Sequence, residues 1–93
     1  MRIVGTIDHP VLKITIFRND DRLSLKLESG LYEQTYKFRD GEGVSSVEDV
    51  YRFVDEVFIA QVSDAMQQMH QSRIAALARC APATEQDEFD VIL

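Results

Sequence analysis

The chain has 93 residues, 45% of them hydrophobic, with 10 Lys/Arg against 16 Asp/Glu and a net charge of −6. That length allows one small domain, and the acidic balance argues against a dedicated nucleic-acid binder. A single cysteine, Cys80, excludes an internal disulfide framework, and no apolar run has signal-peptide form or approaches the ~20 residues of a membrane span. A reducing, cytoplasmic setting is the expectation that follows.

The first 39 residues have the period of β-structure. Ile3, Gly5 and Ile7 alternate with Val4 and Thr6, and a turn at His9-Pro10 follows, where proline's missing N–H costs no ladder bond. Leu12, Ile14 and Ile16 alternate with Lys13, Thr15 and Phe17, and Leu23, Leu25 and Leu27 alternate with Ser24 and Lys26. Tyr32, Gln34 and Tyr36 continue on the same parity. With loops at Asn19-Asp20 and Ser29-Gly30, Ile16 pairs with Leu23, Ile14 with Leu25, Leu27 with Tyr32 and Leu25 with Gln34. Leu12, Leu23, Leu25 and Leu27 then lie on one face. The prediction is a four-stranded antiparallel β-meander over roughly residues 2–39. Gly5, the one core-facing position without a side chain, marks a bulge or the close approach of a helix.

After a turn at Asp40–Gly43, Ser45 with Glu48, or Ser46 with Asp49, offers a serine N-cap with an acid three residues on. Apolar residues then recur on the helical period from Val47 to Leu77 without glycine or proline. One continuous helix of that length would span roughly 48 Å, whereas strands of eight residues cover only about 26 Å. A break near residues 53–56, or packing of the far end on a second subunit, resolves the mismatch, and both are expected here. The fold class is therefore α+β in ββββα order, with a single domain over residues 1–80. Residues 81–93, acidic from Thr84 to Asp90 and ending in Val91-Ile92-Leu93, form an expected disordered acidic tail.

Charge is uneven along the chain. Residues 1–43 hold seven basic and seven acidic side chains, while residues 44–93 hold three and nine. The sheet is neutral and can bear a local basic patch. In the pairing above, the outer face aligns Arg2, Phe17, Arg22 and Lys37 in one row, and Thr6, Lys13, Lys26 and Glu33 in another. Cations round an exposed phenylalanine suit single-stranded nucleic acid, by electrostatic attraction and base stacking. A solvated sheet face also carries Lys, Arg and Thr without any ligand, and Lys26 can pair with Glu33.

No catalytic constellation emerges. His9 reads as a turn residue and His70 as a helix-surface residue, neither beside a nucleophile or carboxylate, and Gly41-Glu42-Gly43 lacks the residues of a phosphate loop. No catalytic residue, metal ligand or cofactor site is assigned, and no cofactor is expected.

The stretches Gly5–Pro10, Leu12–Ile16, Arg22–Lys26 and Gly30–Arg39 resemble a group of short proteins of Bacteroides-type bacteria, to which no activity is attached. The resemblance covers about residues 1–78 and implies a compact bacterial cytoplasmic protein. The ββββα order is similar to the repeat of PUR-type and related single-stranded nucleic-acid binders, which dimerise through that unit. Glu88–Leu93 is similar in kind to the partner-recruiting tip of bacterial single-strand binding proteins, without that tip's proline and terminal phenylalanine. The expectation is a non-enzymatic homodimeric module that binds a protein partner, with single-stranded nucleic acid on Arg2, Lys13, Phe17, Arg22, Lys26 and Lys37 as the alternative.

Overall fold

A computed structural model of the protein describes residues 1–80; the expected tail, 81–93, lies outside them. Four strands, β1 (Arg2–Ile7), β2 (Lys13–Asn19), β3 (Arg22–Ser29) and β4 (Tyr32–Lys37), form one antiparallel sheet in the order β1-β2-β3-β4. Two helices follow, α1 (Val47–Phe53) and α2 (Glu56–Cys80). The predicted meander and the broken helix are both present.

The register differs from expectation by two residues in the β2–β3 and β3–β4 hairpins. Ile16 pairs with Leu25 and Ile14 with Leu27, and Leu25 pairs with Tyr36 and Leu27 with Gln34. The two-residue loops are therefore Asp20-Asp21 and Gly30-Leu31. One cause accounts for both shifts. Asp20 (φ 59°) and Gly30 (φ 58°) adopt positive φ while Asp21 and Leu31 do not. Positive φ at the first loop position alone is the type II′ pattern, so each such residue opens its loop rather than closing it. A slip of two residues preserves parity, and Leu23, Leu25 and Leu27 stay on the face assigned to them.

In β1 the register changes between Ile3 and Gly5. Gly5, Thr6 and Ile7 pair with Ile16, Thr15 and Ile14, but Ile3 faces Phe17 and Arg2 faces Arg18. Val4 is the extra residue of this bulge, and parity reverses across it. Gly5 marks a helix approach as well: a Cβ placed there would lie 3.3 Å from Val47 Cγ1 and 3.4 Å from the Tyr51 hydroxyl.

Leu12, Ile14, Ile16, Leu23, Leu25 and Leu27 meet Val50, Val62 and Met66 in the core. Full burial of each such side chain contributes roughly 1.5–3 kcal/mol. α1 lies on β1 and α2 on β4.

Of the two caps read from the sequence, Ser46 with Asp49 forms. Ser46 Oγ accepts from the Asp49 N–H at 3.2 Å, and the Asp49 carboxylate accepts from the Ser46 N–H at 3.1 Å. The break between the helices is an inverse γ-turn on Val54 (φ −88°, ψ 77°), with the Asp55 N–H donating to Phe53 O at 3.1 Å. Asp55 then caps α2, its Oδ1 accepting from the Phe58 N–H at 2.8 Å. This bend brings Phe53 and Phe58 together, with centroids 4.7 Å apart, against Phe38 and Tyr36. A straight helix would point Phe53 and Phe58 in opposed directions.

Candidate functional site

The outer face of the sheet is built by the residues of opposite parity to the leucines. Across the strands its rows are Ile3–Phe17–Ser24–Lys37, then Thr6–Thr15–Lys26–Thr35, then Lys13–Glu28–Glu33, with Arg22 opposite Asn19 at the far turn. Of the six residues assigned to a ligand face, Lys13, Phe17, Arg22, Lys26 and Lys37 lie on it. Arg2 does not. The Val4 bulge turns it to the other parity, and Ile3, 63% exposed, stands beside Phe17 in its place. Arg22 sits one pair beyond the Phe17 row, and Lys26 faces Thr15 and Thr35 rather than Lys13 and Glu33. Both differences follow from the two-residue shift of register.

One ion pair joins charges on this face among the described residues. Lys26 Nζ lies 3.6 Å from Glu28 Oε2, the same-strand neighbour two residues on, and not from Glu33. Glu28 faces Glu33 on one side and Lys13 on the other. Lys26 also holds its ammonium 5.6 Å from the Phe17 ring centroid, a cation–π distance. Thr15, between Thr6 and Lys26 in its row, is only 3% exposed in the middle of the polar face. A base stacking on Phe17 would have to displace Lys26 from that ring face.

At the β2–β3 turn an open groove of about 650 Å³ is lined by Asn19, Asp21, Arg22, Ser24, Lys37 and Arg39, among others. Asp20 and Asp21 lie with Arg22, Lys37 and Arg39 in its lining, beside the apolar Met1, Leu23 and Phe38.

The histidines serve the fold. His9 Nδ1 accepts from the backbone N–H groups of Val11 and Leu12, both at 3.1 Å, and so organises the β1–β2 turn. His70 Nδ1 is 2.9 Å from the Tyr32 hydroxyl and ties α2 to the start of β4. Among the described residues no three His, Cys, Asp or Glu side chains group as metal ligands. No described helix is long and apolar enough to cross a membrane.

Two carboxyls are held below their ordinary range by local hydrogen bonds. The Arg39 backbone N–H lowers Glu42, donating to its Oε1 at 2.7 Å, with the Arg39 guanidinium adding to it. Asp49 is lowered chiefly by the Ser45 N–H at 3.0 Å, then by Ser46 and by Arg52, with which it forms an ion pair. Both belong to turns and caps, and neither faces a cleft.

A second surface lies at the end of α2. Met69 is the last helix residue packed on the core, and His70 bonds Tyr32. Beyond them the helix runs on to Cys80, roughly 15 Å further. Ile74 and Leu77, 52% and 48% exposed, lie on this projecting end, and Leu31, 74% exposed, lies in the β3–β4 turn beside Tyr32. The length mismatch between helix and strands foretold the projection.

Comparison with family models, with curated proteins and with solved structures gives no match.

Proposed function

We propose that this chain is a non-enzymatic interaction module that acts as a homodimer and binds a protein partner. The observation that carries this reading is the apolar end of α2. Ile74 and Leu77 lie past the last contact with the sheet, where their exposure contributes nothing to the core of the described residues. Exposed apolar side chains on a rigid, projecting helix suit a helix-to-protein contact.

Sedimentation velocity on the full chain tests the first half, with a dimer expected at tens of micromolar and a monomer throughout overturning it. A photo-crosslinking residue at position 77 tests the second. A discrete adduct with a different protein, lost when Ile74→Asp is added, is expected. Adducts of the chain with itself alone would overturn the partner.

A second reading has one observation in its favour: Phe17 with Lys13, Arg22, Lys26 and Lys37 on one sheet face, suited to single-stranded nucleic acid. Amide shifts confined to these residues on titration with a mixed single-stranded oligonucleotide, fading as salt rises, are what it requires. No shifts at low salt would remove it.

A further inference from the structure

We infer that the second copy joins edge to edge along β4, in an antiparallel pairing whose two-fold axis passes through Thr35. This rests on the homodimeric reading above and names the surface by which the dimer forms. The sheet has two edges, β1 and β4. The bulge at Val4 breaks the ladder repeat of β1 and makes it a poor template. β4 runs without a bulge.

In an antiparallel pair, residues that bond the neighbouring strand alternate with residues whose N–H and C=O point away from it. The Phe38 N–H donates to Leu23 O at 3.1 Å, continuing the β3–β4 register, so the even-numbered residues of β4 bond β3. Glu33, Thr35 and Lys37 therefore turn their backbone groups outward, and no side chain or loop among the described residues bonds to them. The next outward donor, the Arg39 N–H, is already taken by Glu42 Oε1 at 2.7 Å. The open edge thus runs from Glu33 to Lys37, and Thr35 is its midpoint.

A two-fold axis at Thr35 sets Thr35 against its copy, Glu33 against Lys37, and Lys37 against Glu33. Every member of these pairs presents outward backbone groups, so each pair can exchange both of its hydrogen bonds. Glu33 and Lys37 are the two charged side chains of β4, and this register opposes them with unlike sign at both ends. Centring on Glu33 or on Lys37 would set a charge against itself. Centring on Gln34 or Tyr36 would leave Lys37 opposite Leu31 or Thr35. The edge is self-complementary in backbone parity and in charge, as an isologous contact must be.

Sedimentation velocity on the full chain, from about 1 to about 500 µM to cover the range of weak self-association, tests this with designed variants. Thr35→Pro removes an outward N–H and no bond to β3, so it leaves the hairpin intact; loss of the dimer with unchanged circular dichroism is expected. Lys37→Glu puts two like-charged cross-strand pairs in place of two unlike ones and raises the dissociation constant roughly tenfold. Glu33→Lys with Lys37→Glu restores unlike pairs and recovers the wild-type constant, which also guards against misfolding of the proline variant. A dimer indifferent to Thr35→Pro and Lys37→Glu but lost in Leu77→Asp overturns the β4 interface and leaves the homodimer standing. A monomeric wild type overturns both.

Discussion

The side-chain amide of Gln34 donates to the main-chain carbonyl of Val62 at 3.0 Å, joining the middle of β4 to α2. Its Oε1 accepts from the Tyr36 hydroxyl at 2.6 Å, so both ends of the amide are engaged on the apolar face of the sheet. Gln34 is thus a polar link between sheet and helix on a face otherwise made by leucines.

Gln34→Leu accordingly destabilises the protein despite adding apolar surface. The Tyr36 hydroxyl loses its acceptor in a half-buried setting, which costs about 1–3 kcal/mol. Tyr36→Phe in the same background returns part of that loss, because it removes the stranded hydroxyl. Urea unfolding of the single and double variants measures the coupling. Additive effects would mean that the two side chains do not act together.

Gly5 is the second test of how helix and sheet meet. A methyl group there lies 3.3 Å from Val47 Cγ1 and 3.4 Å from both Ile16 Cδ1 and the Tyr51 hydroxyl. Only Val47 Cγ1 stands closer than ordinary van der Waals contact and must yield by a few tenths of an ångström. Gly5→Ala therefore changes stability by less than about 1 kcal/mol, while Gly5→Val, with two further carbons, costs about 1–3 kcal/mol through overpacking. Chemical denaturation of both variants checks the gradation. Equal effects would show that α1 is not held against β1 at this point.

The sequence carried the strands, the buried face and the helix break because each has a local cause. Parity assigns Leu23, Leu25 and Leu27 to one side whatever the register, whereas Ser45 with Glu48 and Ser46 with Asp49 carry the same cap signal one residue apart, and only the structure selects the second. The register itself was not legible. Asp20 and Gly30 were recognised as turn residues, but nothing local says whether a positive-φ residue stands first or second in its loop. The outer face inherited that ambiguity, so Lys26 was matched with Glu33 when its neighbour is Glu28. Arg2 was lost from the face for a different reason. A bulge at Val4 reverses parity without any mark in the residues before it, and only Gly5 beyond it gave a hint.

The α2 cap offers a sharper probe of the helix break than the turn itself. Asp55 Oδ1 satisfies the Phe58 N–H at 2.8 Å, and its loss leaves an orphan donor at the start of the long helix. Asp55→Ala costs about 1 kcal/mol, while Asp55→Ser, which keeps an acceptor, recovers most of it. Thermal unfolding followed at 222 nm separates the two. No difference between alanine and serine would place the cap elsewhere.

Acid sensitivity should concentrate at the start of α1. Asp49 is held below its ordinary value by the Ser45 N–H first and by Ser46 and Arg52 after it. The folded state therefore binds this proton less readily than the unfolded chain does, and stability rises with pH across the interval between the two values. The contribution is complete above about pH 5, where the unfolded carboxyl is ionised, and it is lost as pH falls through the lower folded value. Glu42, lowered by the Arg39 N–H, acts in the same direction. Urea midpoints measured from pH 7 down to pH 2.5 should fall below about pH 5 in the wild type. In Asp49→Asn that fall is shallower, because the variant has no charge to lose and starts from a lower plateau. Parallel curves for the two proteins would show that Asp49 is no more strongly held in the folded chain than in the unfolded one.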